Sequence, residues 1–138
     1  MAEKYSNFDI IKINSLEDIK VIKKDWTYLL NDTSNSNVYA DPQFFVTIFE
    51  TRAPRAIPNI ILFKQNETPK AIIIGWITQK QIPLCLGYLK FNSPNLRTFE
   101  IEIDCLIADH DQNSKKVIWE YLKELDFKNE VDFIFAVT

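Results

Sequence analysis

Few side chains in this sequence are equipped for chemistry. His110 is the single histidine and stands between Asp109 and Asp111. A histidine flanked by carboxylates can act as a general base; an exposed loop residue accounts for the same three letters and is the better-supported reading. Cys85 and Cys105, with that one histidine, match no zinc spacing, so no metal is expected and the cysteines read as free, half-buried thiols. No serine sits in a nucleophile elbow. Catalytic residues therefore cannot be named from spacing. Glu100, Glu102 and Asp104 alternate in an extended stretch, which predicts three carboxylates on one strand face at steps of about 7 Å. Such a stripe could orient an amine, but the wet face of a half-buried strand produces it too. The segment VYADPQFF (38–45) is the most suggestive: Tyr39, Asp41 and Phe44 surround an Asp-Pro pair after a polar loop and are the candidate substrate-binding residues. A hydrophobic anchor for a short helix would use the same letters.

The composition excludes several classes. The chain has 138 residues, 46% hydrophobic, with formal charge −3 and two glycines, Gly75 and Gly87. Average usage of about 7% would supply roughly ten glycines, and these two lie twelve positions apart. Glycine-rich phosphate loops need glycines a few residues apart, so nucleotide-binding classes built on them are excluded. The mild acidity argues against nucleic acid, which requires a clustered basic face. No signal-like segment or long apolar run is visible. The expectation is a soluble, cytoplasmic, single domain with neither nucleic-acid nor membrane partners.

The elements that must position these residues follow from periodicity. FDIIKI (8–13) predicts a strand. Ser15 and Asp18 form a capping-box pattern before a helix whose apolar face is Leu16, Ile19, Ile22, Trp26, Leu29 and Leu30. After the polar stretch 31–37, Asp41-Pro42 is a helix start, with an acceptor at the cap and proline in the first turn. NIILFK (59–64) and KAIIIGWIT (70–78), separated by a polar loop, predict a hairpin. The unalternating run 71–74 predicts cover on both faces. IPLCLGYLKF (82–91) reads as a further extended segment, interrupted by Pro83 and Gly87. TFEIEIDCLIA predicts a strand with Phe99, Ile101 and Ile103 inward. Ser114 is the expected cap of a helix with the stripe Val117, Ile118, Tyr121, Leu122 and Leu125, and VDFIFAV (131–137) predicts a closing strand. Trp26, Trp76 and Trp119 all read as core residues. The result is an α/β (α+β) chain of order β-α-α-β-β-β(β)-α-β. Its apolar last strand, with no polar tail, predicts that further polypeptide follows Thr138.

This order and several local patterns resemble one half of a GNAT-type fold, a mixed sheet with helices on both sides. The closer likeness is to the amino-terminal half of FemAB-like and CelD-type acetyltransferases. It rests on Trp26 and Leu29 in INSLEDIKVIKKDWTYLL, on NSNVYADPQFF, on AIIIGWIT with IPLCLGY, and on CLIADHDQNSKKVIWEYLKEL with Val131-Asp132. The resemblance implies that residues 1–138 form a single GNAT-like domain, incomplete at its C-terminal end. It also implies a transferase of two such halves, with the acyl donor handled by the second. A GNAT proper cradles the donor pyrophosphate on a Gln/Arg-x-x-Gly-x-Gly/Ala loop at a helix amino terminus. The equivalent segment here, Ala108 to Lys116, has no glycine, and Asp109 and Asp111 would repel a pyrophosphate while Lys115 and Lys116 offset them in part.

The resemblance thus implies a non-catalytic or degenerate domain, without a cofactor of its own, that supports a catalytic half and shapes the acceptor groove. Two alternatives stay open. One is a self-contained N-acetyltransferase using acetyl-CoA, with His110 or a carboxylate of the Glu100 stripe as base. The other is an interaction module pairing through its terminal strand with a C-terminal GNAT-like half or a second copy.

Overall fold

The computed structural model describes residues 7–35, 37–52, 56–127 and 131–136. Strand β1 (Asp9–Ile13) leads into helix α1 (Ile19–Asp32), a single 3-10 turn (Val38–Ala40) and helix α2 (Pro42–Arg52). Strands β2 (Ala56–Gln65) and β3 (Thr68–Lys80) form the long hairpin, followed by a small hairpin of β4 (Pro83–Leu86) and β5 (Leu89–Asn92). Strand β6 (Leu96–Ala108), helix α3 (Gln112–Phe127) and strand β7 (Phe133–Ala136) complete the described chain. The main sheet has the order β1-β2-β3-β6-β7, antiparallel except for the parallel β6–β7 pair.

The predicted helical face of α1 is the buried one: Ile19, Ile22, Trp26, Leu29 and Leu30. Ser15 and Asp18 do bond each other, Ser15 Oγ donating to the Asp18 carboxylate at 2.7 Å. They close a turn ahead of the helix, however, and the capping residue Asp18 makes no side-chain cap bond. The α2 start is as predicted: the Asp41 carboxylate accepts from the backbone amides of Gln43 at 2.9 Å and Phe44 at 3.0 Å.

Helices cover both faces of the sheet. Directly opposed residues of antiparallel strands share a face. Phe63, opposite Ala71, meets Tyr121 of α3 edge to face at 5.4 Å. Trp76, opposite Pro58, meets Phe45 of α2 at 5.9 Å on the other side. The run 71–74 is accordingly buried throughout. Its lack of alternation reflects two apolar layers rather than one.

The turn of the long hairpin is tighter than the predicted five-residue loop. Asn66 and Glu67 alone connect the strands, at φ 51° and 65°, the left-handed pair of a type I′ turn. The segment 82–91 also differs from expectation. Gly87, at φ 62°, turns it back on itself after Leu86, so that Leu86 pairs Leu89 in a sheet separate from the main one. Neither cysteine is half-buried: Cys85 is exposed and Cys105 buried.

Candidate functional site

The site begins with a register break. Opposite Ile101 stands Gly75, but opposite Leu106 stands Ile73. Residues 102–105 of β6 therefore face the single residue Ile74, three more than a regular ladder holds. An odd insertion inverts parity. Before it, Ile101 shares Gly75's face, the α3 side; after it, Leu106 and Ala108 lie on that side, opposite Ile73 and Ala71. Among the described residues, β6 pairs with β7 from Thr98 to Ile101.

Gly75 permits this break. A Cβ built there would lie 2.2 Å from the Glu100 carbonyl oxygen and 2.8 Å from the Phe99 ring. Only a residue without a side chain allows the bulging strand so close.

The same feature separates the surroundings of Glu100 and Asp104, two members of the predicted carboxylate stripe. Glu100 turns to the α1/α2 side, where its carboxylate accepts from Trp76 Nε1 at 2.7 Å and pairs with Lys80. Asp104 sits within the bulge at φ 57° and is exposed. The side chain of Glu102 lies outside the described residues. Glu100 and Asp104 are therefore differently engaged: Glu100 is tied to β3, and Asp104 opens onto a cavity.

That cavity, of about 550 Å³, is lined by Thr33, Ser34, Asn35, Asn37, Asp104, Leu106, Ile107 and Ala108. The α1–α2 loop forms one wall and the bulged strand the other. Asn37 joins them: its side-chain amide donates to Asp104 Oδ2 at 3.2 Å, and its carbonyl accepts from the Tyr39 amide at 2.9 Å. Asn35 is turned inward by the loop, its Oδ1 accepting from the Asn37 amide at 2.8 Å. Beneath the loop, Trp26 Nε1 donates to the Ala40 carbonyl at 2.7 Å, and Cys105 Sγ donates to the Tyr39 carbonyl at 3.5 Å. A polar wall with one carboxylate suits an acceptor that donates hydrogen bonds, an amine above all.

The three residues expected to bind substrate stand near this cavity but are not among its lining residues. Tyr39, exposed, and Phe44, half-buried, form an edge-to-face pair at 5.4 Å. Asp41 is engaged as the α2 cap. Asn35 and Asn37, which do line the cavity, were not singled out from the sequence, because polar loop letters acquire a role only when a strand is placed against them.

On the other side of β6, Leu106, Ala108, Lys115, Ile118 and Trp119 line a cleft of about 230 Å³. Trp119 was expected in the core; it is 58% exposed on the flank of α3. Its neighbours Ile118 and Tyr121 take the buried positions, so Trp119 falls one position off the inward stripe.

The amino terminus of α3 is capped differently from expectation. Asp111, not Ser114, is the capping residue, its Oδ1 accepting from the Asn113 amide at 3.0 Å, while Ser114 is buried within the first turn. Asp109 accepts from the Asp111 amide at 3.0 Å and pairs with Lys70 at 3.2 Å. Burial works to raise the Asp109 carboxyl. The nearby Ser114 hydroxyl, the Asp111 amide and the Lys70 ammonium together outweigh it and hold the group below its ordinary value. His110 is exposed beside them. Among the described residues, no group of three His, Cys, Asp or Glu side chains could hold a metal ion. No helix there is long and apolar enough to cross a membrane.

No family model matches this sequence, and no curated protein is significantly similar to it. Solved structures do resemble the fold. A "predicted acetyltransferase with acetyl-CoA" from Clostridium acetobutylicum superposes with TM-score 0.50 at 11% identity, over 95% of this chain and 80% of the other. A "possible acetyltransferase" from Clostridium difficile 630 gives TM-score 0.51 at 13% identity, over 95% and 79%. At such identities the likeness establishes the fold alone.

Proposed function

We propose that this chain, whose fold is of the GNAT acetyltransferase type, serves as the acceptor-shaping domain of an acyltransferase and does not itself hold the acyl donor. The observation that carries this reading is the state of the α3 amino terminus. A donor pyrophosphate would need free backbone amides and positive potential there. The Asp111 and Asn113 amides are already given to the Asp109 and Asp111 carboxylates. A phosphate brought within about 4 Å of a carboxylate meets roughly 4 kcal/mol of repulsion at an effective dielectric of 20. Lys70 neutralises Asp109 at 3.2 Å, and Asp111 remains exposed. These residues do not fit coenzyme A's pyrophosphate. The cavity between Asn37 and Asp104 then takes the acceptor, with Tyr39, Asp41 and Phe44 at its approach. In this reading the acyl-transfer step belongs to a catalytic half, in keeping with the likeness to the amino-terminal part of FemAB-like enzymes.

Calorimetric titration of the chain with acetyl-CoA tests the proposal. Heats no larger than dilution up to millimolar ligand are expected; a micromolar dissociation constant would overturn it.

A second reading, a self-contained acetyl-CoA-dependent N-acetyltransferase, is favoured by one different observation. The bulge at 102–105 breaks the β3–β6 ladder directly after the residues of β6 that pair with β7, and the similar Clostridium acetobutylicum protein is described with acetyl-CoA. In that case the donor would reach the sheet at this opening without using the α3 terminus for its phosphates. Micromolar binding retained in Lys115→Ala/Lys116→Ala would favour this version.

A further inference from the structure

The small hairpin β4–β5 has a pattern that the rest of the fold does not use. Leu84 pairs with Phe91 and Leu86 with Leu89, whereas Cys85 pairs with Lys90 and Pro83 with Asn92. Opposed residues share a face and alternate residues share a side. One face is therefore Leu84, Leu86, Leu89 and Phe91; the other is Pro83, Cys85, Lys90 and Asn92. The apolar face is uncovered: its four residues are 42%, 71%, 68% and 51% exposed, and Tyr88 at the tip is fully exposed.

The hairpin is nevertheless closed firmly at its base. Ser93 donates its amide to the Ile82 carbonyl at 2.9 Å, and the Ile82 amide donates to Ser93 Oγ at 2.8 Å. Gly87 supplies the positive φ at the first position of the two-residue turn, the requirement of a type II′ hairpin. A two-stranded ribbon is marginal alone and gains stability when an apolar face is covered.

We infer that a second copy of this chain covers it. The geometry points to a two-fold dimer in which the Leu84, Leu86, Leu89 and Phe91 faces of two hairpins stack as a small four-stranded sandwich. Two observations select this occupant. The apolar face with Tyr88 presents on the order of 600 Å², more than scattered surface residues do and close to the share each partner contributes to a standard interface. Charge gives the second. The face carries no ionisable group, and Lys90 lies on the opposite face, so the two copies' lysines point away from each other. A lipid surface fits less well, because a wedge for anionic membranes is ringed with basic residues. Here the hairpin carries one lysine on a chain of net charge −3. The dimer is independent of which half of the acyl-transfer chemistry this domain carries.

Sedimentation equilibrium of the whole chain, from about 1 µM to 1 mM, is the test. A monomer–dimer equilibrium in the micromolar range is expected. Leu86→Ser/Phe91→Ser should weaken it roughly 100-fold or more, with far-ultraviolet dichroism unchanged, whereas Lys90→Ala should leave it intact. A nitroxide on exposed Cys85 should report its twin about 20–25 Å away, since sheets stack about 10 Å apart and Cys85 faces outward on both; this readout needs no substitution in the apolar face. A strict monomer at 1 mM would overturn the inference. So would a dimer that survives the double substitution, a dimer without that dipolar distance, or a monomer that sediments with phosphatidylserine vesicles.

Discussion

Asn37 and Asp104, 67 residues apart in sequence, meet side chain to side chain at 3.2 Å and tie the loop between two helices to the bulge of a central strand. That contact defines the cavity, because it fixes the distance between its two polar walls. Asn37 is bonded at its carbonyl as well, and two longer bonds support it: Asn35 Nδ2 donates to the Asp104 carbonyl and Cys105 Sγ to the Tyr39 carbonyl, each at 3.5 Å.

Asn37→Ala should therefore lower stability by about 1 kcal/mol, the usual net worth of such a bond. Amide exchange should accelerate in the loop 33–41 while the β2–β3 ladder keeps its protection. Unchanged exchange in the loop would show that it is held by other contacts.

Gly75→Ala should be among the most damaging single substitutions. The added carbon would meet the Glu100 carbonyl oxygen at 2.2 Å and the Phe99 ring at 2.8 Å. A backbone oxygen cannot rotate away, so about 3 kcal/mol or more is expected. Urea denaturation measures it, with a loss under 1 kcal/mol counting against the close approach.

Glu67→Gly should stabilise the chain. Glu67 holds φ 65° in the two-residue turn, a conformation that costs an L-residue about 1 kcal/mol and glycine little. Its ion pair with Lys64 spans 3.8 Å with Glu67 93% exposed and contributes almost nothing. A gain of roughly 0.5–1 kcal/mol by thermal melting is the expected result.

The three tryptophans should separate cleanly. Trp26 is fully buried with its indole on the Ala40 carbonyl, and Trp26→Ala should cost about 3–5 kcal/mol. Trp119→Phe should change stability by no more than about 0.5 kcal/mol yet abolish the iodide-quenchable part of the fluorescence. Quenching that persists in Trp119→Phe would place another indole at the surface.

Acid should destabilise the fold through Asp109 and Asp132. Hydrogen bonds from the Arg97 side chain and amide hold the Asp132 carboxyl low, while the nearby Ser114 hydroxyl, the Asp111 amide and the Lys70 ammonium keep Asp109 low against its burial. A carboxyl whose folded pKa lies below the unfolded one contributes stability above the unfolded value, and that contribution is lost as pH falls through the folded value. Stability should thus hold above about pH 4 and decline below it. The decline should be shallower in Asp109→Asn and in Asp132→Asn. An equally steep acid arm in both variants would assign it to other carboxylates.

Local chemistry was legible in the letters themselves. The inward stripes of α1 and α3 follow from a 3.6-residue period, the α2 start follows from Asp41-Pro42, and the doubly covered strand at 71–74 follows from its lack of alternation. Each depends on neighbours a few residues away, so the amino-acid sequence by itself determined them, along with the element order and the absence of a glycine phosphate loop. The tertiary structure alone decided the rest. Alternation predicted one carboxylate face for Glu100 and Asp104, but three extra residues opposite Ile74 moved Asp104 onto the cavity wall. Such a break depends on the match between strands some thirty residues apart, and on the room left by Gly75. Trp119 missed the core by a single helical position, a rotation that packing against β6 sets and composition does not. The hairpin at 82–91 reads as strand from its letters, yet only the assembled sheet, already complete without it, left its leucines facing outward.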